Sequence, residues 1–224
     1  MWASVRDAVA LLLGGNLGEI LFTVGSSAIS PRPPLNTRQI LFVNLMTDLL
    51  PALTVASRKP RGVTPEELAR EGPESSLGTA LTLEVARRAA ATALATTGGW
   101  LAARATGTPG RASSVAVASL VASQLAQTAV ASRGDPAVLA AAGLSMATLV
   151  GTVQTPIVSQ FFGSRPLGPV GWSIVLSSAA GAAAMGAIPV HHLQGLKQLV
   201  ESWSAAGARL LRPLETKQWE GRLL

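Results

Sequence analysis

Two short polar clusters interrupt the apolar opening of this chain, and both carry oxygen-bearing side chains at helical spacing. The first is Asn16-Leu17-Gly18-Glu19, inside the apolar run 5–29. The second is Asn44-Leu45-Met46-Thr47-Asp48-Leu49-Leu50-Pro51, inside the run 39–56. On a helix Asn16 and Glu19 share a face, and so do Asn44, Thr47 and Asp48. Crossing a bilayer takes about 20 apolar residues. Each run therefore puts a carboxylate and a carboxamide at membrane depth, where polar groups are expensive and usually functional. No Lys or Arg lies within either run to neutralise the acids; Arg6 and Arg38 stand at the ends. A buried carboxylate without a basic partner takes up a proton or a cation. Pro51 has no N–H, so the Thr47 carbonyl four residues back loses its helical partner and is free for another ligand. Carboxylate, carboxamide, hydroxyl and carbonyl oxygens together make a ligand set for a hard cation.

The elements that must hold these groups are helices. Of 224 residues 48% are hydrophobic and only 13% charged, with a mean hydropathy of +0.38, a membrane composition far too apolar for disorder. The opening segment has no basic n-region and no small-residue cleavage site, which argues against a cleavable signal peptide. A net charge of +6 and a pI near 11.2 would suggest nucleic acid in a soluble protein. Here the basic residues fall between apolar runs, so membrane topology accounts for them and no nucleic-acid partner is expected. The chain has no cysteine, hence no disulfide and no thiolate metal ligand.

The apolar periodicity predicts an all-α, integral membrane bundle of six helices, at about 5–29, 38–57, 86–105, 113–132, 137–162 and 168–189. A Pro-rich turn at 30–37 makes the first connection, and the basic segment 57–76 the second. Residues 77–88 form a helical lead-in, with Arg87 and Arg88 expected at the membrane surface. From His191 the chain becomes a basic amphipathic tail, so the expected division is 1–190 and 191–224. By this topology 13 basic residues gather on one side and 5 on the other, together the 18 present. The positive-inside rule then puts both termini in the cytoplasm.

The two clusters closely resemble the fifth and sixth membrane helices of P-type cation-transporting ATPases, especially the calcium-pump-like branch. Those pumps carry Asn-x-Gly-Glu on one helix and Asn-Leu-x-Thr-Asp-x-Leu-Pro-Ala on the next, in this order and joined by a short turn. Six helices with both ends inside match the fifth to tenth helices of the family, over roughly residues 1–190. The resemblance implies that Asn16, Glu19, Asn44, Thr47 and Asp48 hold a transported cation. It aligns 122–128 with the eighth helix, where the calcium pump has an acidic ligand. This chain has the neutral Gln124 there, with Gln127 one turn on, which favours a single cation. Calcium, manganese, magnesium and a proton all suit such oxygens. The absence of cysteine sets the chain apart from the heavy-metal branch.

No Asp-Lys-Thr-Gly-Thr occurs in the sequence, and the length leaves no room for nucleotide or actuator domains. The chain alone is therefore expected not to hydrolyse ATP. ATP and magnesium would enter only through an N-terminal half, missing from these residues or separately encoded. The break just before the first helix looks like a truncation. The alternatives are a free-standing passive cation or proton pathway, a regulatory partner of intact pumps, or a non-functional remnant. Individual residues have plainer alternatives as well. Asn16, Asn44, Thr47, Gln124 and Gln127 could simply join helices. Gly14 and Gly18 suit close packing, Pro156 a kink, and His191 and His192 the membrane exit. Trp100, Trp172, Trp203 and Trp219 suit interface anchors.

Overall fold

The computed structural model describes residues 2–31, 33–49, 51, 54–55, 79–188 and 198. The chain divides into two units, 1–188 and 189–224, and the architecture below is that of the first. The expected tail with His191, His192, Trp203 and Trp219, and the basic segment 57–76, lie outside the described residues.

Among the described residues the structure is helical, with no strand. The helices are α1 (Trp2–Ile29), α2 (Thr37–Asn44), α3 (Thr79–Ala105), α4 (Pro109–Ala131), α5 (Pro136–Gln154), α6 (Pro156–Phe161) and α7 (Pro169–Ala187). The α2 helix runs directly into a π-helical turn, Leu45–Leu49. Four helices are long and apolar enough to cross a membrane: α1 over Arg6–Ile29, α4, α5 and α7. The α3 helix has 27 residues, or about 40 Å at 1.5 Å per residue, but it opens on Glu84, Arg87 and Arg88.

Local chemistry explains where the helices begin. Proline stands in the first turn of α4, α5 and α7, where a missing N–H costs no helical bond. Thr108 caps α4 by accepting from the Arg111 amide, and Asp135 caps α5 by accepting from the Ala137 and Val138 amides. Between α4 and α5 the chain reverses through Arg133 and Gly134, at φ of 51° and 78°.

Two expectations need correction. The span anticipated over 137–162 is broken: Thr155 is extended (ψ 113°) and a separate short helix begins at Pro156. Proline disfavours helical geometry in the residue before it and cannot donate back into the turn. Trp100, expected at an interface, is 3% exposed. It packs edge-on against Phe22, with ring centroids 6.1 Å apart, and carries the Arg104 guanidinium over its face. Arg87 and Arg88 are buried within the protein, where Glu84 lies one turn back on the same face.

The α4 helix forms the centre. Every residue from 114 to 125 is buried, and α3, α5 and α7 pack around it while α1 lies along α3. A helix buried all round must be apolar or small on every face, and Ala, Ser and Val make up most of this segment. Glycine sets the α1–α3 spacing. A Cβ on Gly14 would sit 2.7 Å from Arg88 Cβ, and one on Gly18 would sit 2.7 Å from Thr92 Cβ. The small pair on α1 is thus what lets the backbones approach.

A polar latch fixes the start of α2. Asn36 and Gln39 form a reciprocal capping box: the Gln39 amide donates to Asn36 Oδ1 (3.0 Å) and the Asn36 amide donates to Gln39 Oε1 (2.9 Å). Fully buried Gln39 also donates through Nε2 to Ser113 Oγ (3.2 Å) on α4 and to Ser164 Oγ (3.1 Å) in the α6–α7 connection. Beside it Asn36 Nδ2 donates to the Phe162 carbonyl, and Arg38 to that of Phe161.

Three stability predictions follow from this packing, each measured by denaturant unfolding in detergent. Gly18→Ala forces α1 off α3 and is expected to cost about 1–3 kcal/mol. Gly25→Ala meets nothing within 4 Å and is expected to be neutral or to stabilise by up to about 1 kcal/mol. Gln39→Leu leaves the two serines and the Asn36 amide without their partner and is expected to cost about 1–3 kcal/mol.

Candidate cation-binding site

The α1 helix and the π-helical turn bring four of the seven residues named from the sequence into one cluster. The Asp48 carboxylate accepts from the Asn16 side chain and from the Thr47 hydroxyl, so it bridges the two helices. The Thr47 hydroxyl lies 3.0 Å from the Val43 carbonyl and 3.2 Å from Asp48 Oδ1; with a single proton it donates to one at a time. Glu19, one turn after Asn16, is 6% exposed, and its carboxylate feels the charge of Asp48 directly. The turn that carries Thr47 and Asp48 is wider than an α-helix, an irregularity frequent at functional sites. Asn44 closes α2 just before it, half-buried.

Gln124 and Gln127 come from α4 and meet Thr47 of this cluster at a small cavity. Gln124 lies against Gly15 of α1, where an added Cβ would collide with its Oε1. Both glutamines line a cavity of about 10 Å³ together with Thr47, Arg88 and Thr92, room for roughly one water-sized species. Gln127 Nε2 donates to Thr92 Oγ1 at 2.9 Å. Thr47 belongs to both groups, touching Asp48 on one side and the cavity on the other.

Several oxygens in this region are buried acceptors without a donor among the described residues: Glu19 Oε2, Asn44 Oδ1 and Gln127 Oε1. A buried acceptor left unpaired costs about 1–3 kcal/mol, more when charged. Glu19 Oε2 belongs to one of the two interacting carboxylates, and a bound cation would satisfy such acceptors. Among the described residues no three acidic or imidazole groups meet, so a ligand set here rests on two carboxylates completed by neutral oxygens.

Two contributors carry no motif in the sequence. Thr92 orients Gln127 from 35 residues away, a contact no local pattern announces. Arg88 enters the cavity wall. The spacing of Glu84 and Arg88, i and i+4, was the available signal for a pair buried together.

Residues 32–189 match the family described as cation transporting ATPase, C-terminus. The chain is 41% identical over 221 residues to the probable cation-transporting ATPase I of Mycobacterium leprae (strain TN), covering 89% of this chain and 14% of that protein. It is 44% identical over 207 residues to the protein of the same description from Mycobacterium tuberculosis (strain CDC 1551 / Oshkosh), covering 84% and 13%. A shorter match, 37% over 62 residues, reaches a calcium-transporting ATPase of Bacillus subtilis (strain 168) and covers 28% and 7%. The chain thus spans about one seventh of the length of the mycobacterial relatives. With more than half of its residues matched and four helices able to cross a bilayer, it is an integral, multi-pass membrane protein and belongs to the family of cation-transporting P-type ATPase C-terminal domains.

Proposed function

We propose that Glu19, Asp48, Asn16, Asn44 and Thr47, backed by Gln124 and Gln127, bind the cation that the pump moves across the membrane. The observation that carries this is that Glu19, Asn44 and Gln127 each keep a buried acceptor oxygen with no donor among the described residues, while Glu19 feels the charge of Asp48. The donor set is all oxygen, which suits calcium, manganese, magnesium or a proton. The motif residues Asn16, Glu19, Asn44, Thr47, Asp48 and Pro51 support the calcium-pump-like branch, and the neutral Gln124 supports one cation rather than two. ATP and magnesium act through the catalytic half of the pump, whether on the same polypeptide or on a partner chain. Binding of the cation would be coupled to phosphorylation there.

The test is made on the assembled pump. Glu19→Gln and Asp48→Asn each keep the side-chain shape and remove the charge. Each is expected to lower cation-stimulated phosphorylation by about a hundredfold or more at fixed cation, an effect of about 2.7 kcal/mol. Unchanged cation dependence in both variants refutes the assignment.

We also infer six crossings with both termini on the cytoplasmic side, on the strength of the 13 to 5 division of basic residues. Because the chain has no cysteine, one introduced cysteine reports its own side without background. A membrane-impermeant maleimide added outside intact cells is expected to label Thr106→Cys and to spare Gly134→Cys; the opposite pattern reverses the orientation.

A further inference from the structure

The two ends of the helix bundle treat their arginines differently. At one end Arg6 meets Asp7 at 3.3 Å, and Arg87 and Arg88 share the Glu84 carboxylate. At the other end stand Arg38, Arg104, Arg111 and Arg165, and among the described residues none of them meets a carboxylate. Arg38 donates to the Phe161 carbonyl at 2.8 Å and lies over the Phe161 ring. Arg104 lies over the ring of Trp100. Arg111 donates to the Thr106 hydroxyl at 2.6 Å and keeps a buried Nε–H with no acceptor among the described residues. The Arg165 guanidinium lies against the first turn of α4, where a Cβ on Gly110 would sit 3.0 Å from its Nε. The Gln39 latch gathers them: Gln39 follows Arg38 and bonds Ser113, two residues after Arg111, and Ser164, one before Arg165. The missing countercharge is a property of the sequence, since no Asp or Glu occurs at 20–47, 85–134 or 136–200, the stretches that supply all three connections at this end. The N-termini of α4 and α7 open here too and add the positive ends of two helix dipoles.

We propose that this end of the bundle binds the headgroup of an anionic phospholipid. Arg111 and Arg165, beside the first turn of α4, donate to its phosphate, and Arg38 and Arg104 stand at its margin. A guanidinium offers paired N–H donors that match phosphate oxygens. What selects a lipid over a soluble anion is the apolar surface next to these charges. Ile157, Phe161 and Val170 are 83%, 60% and 55% exposed, and they belong to helices whose ends carry the arginines. Positive charge at the helix ends above exposed hydrocarbon repeats the order of a phospholipid, phosphate above acyl chain. In the orientation inferred above, the lipid belongs to the non-cytoplasmic leaflet.

The experiment titrates phosphatidylglycerol with a fluorescent acyl chain onto the full chain in non-ionic detergent and follows its anisotropy. Unlabelled phosphatidylglycerol is expected to displace the probe at far lower concentration than phosphatidylcholine does, and inorganic phosphate is expected not to displace it. Arg104→Gln and Arg165→Gln are each expected to weaken binding about fivefold. Arg165→Lys keeps the charge and is expected to stay within about twofold of the unaltered chain. Gly168→Glu supplies the missing carboxylate where an added Cβ meets nothing within 4 Å. It is expected to weaken binding by a similar factor and decides the matter if the arginine variants do not fold. The basic residues Lys197, Arg209, Arg212, Lys217 and Arg222 also attract anionic lipid, so the loss on Arg165→Gln is expected to persist when all five are glutamine. Binding that follows those five substitutions but ignores Arg104→Gln, Arg165→Gln and Gly168→Glu overturns the site. Equal displacement by phosphatidylcholine overturns the role of charge. Displacement by inorganic phosphate as readily as by phosphatidylglycerol reveals a site for soluble anions and overturns the lipid.

Discussion

Two carboxylates on neighbouring helices, close enough to feel each other and without a guanidinium between them, are the constraint the rest of this fold accommodates. Glu19 and Asp48 repel, and Glu19 is buried away from the water that would screen the pair. Asp48 is partly offset by the donors Asn16 and Thr47. Glu19 keeps an oxygen with no donor among the described residues. Helices built only for stability would put an arginine or a lysine here. The Arg88 guanidinium instead lines the small cavity beside Thr47, tied to Glu84 on its own helix.

The scaffold is strict about backbone distance and permissive about side-chain pairing. Gly14 and Gly18 bring α1 onto α3 so closely that a methyl group would collide at either position. That contact fixes the height of Asn16 and Glu19 against Thr92 and, through it, against Gln127. The α4 helix, buried on every side between 114 and 125, then holds Gln124 against Gly15. In hydrocarbon surroundings each backbone polar group must be satisfied within the protein, and long helices with small contact residues achieve this while leaving side-chain oxygens over.

Much of this was legible in the sequence because it depends on local spacing. Asn16 with Glu19, and Asn44 with Thr47 and Asp48, share faces by helical arithmetic alone. What escaped depends on pairing across space or on a competition between neighbours. The pairing of Arg87 and Arg88 with one carboxylate, Glu84, a turn away is a contact that hydropathy does not register. Trp100 resembles an interface anchor until Phe22 is found against it. Pro156 signals a disturbance, but whether the helix bends or breaks depends on whether Thr155 can turn extended, and here it does. The π-helical turn at Leu45–Leu49 has no signature beyond Pro51 following it.

That turn gains its meaning from what lies at the other end of α2. There Gln39 is fully buried and bonded to Asn36, Ser113 and Ser164, so the helix start is pinned to α4 and to the α6–α7 connection. Thr47 and Asp48 lie two to three turns further on, in backbone whose hydrogen bonds skip a residue more than in an α-helix. A π turn is less regular than the α-helix on which it is built, and it costs free energy that the surrounding packing must offset. Placing it at the carboxylate, and the latch at the opposite end, concentrates the adaptable part of the backbone at the oxygens of the proposed site. Leu49, beside Asp48, is exposed at the edge of the turn, whereas Thr47 is buried and borders the cavity lined by α4. The rigid latch and the irregular turn are two halves of one arrangement, in which the helix is held fast where it carries no ligand and loosened where it does.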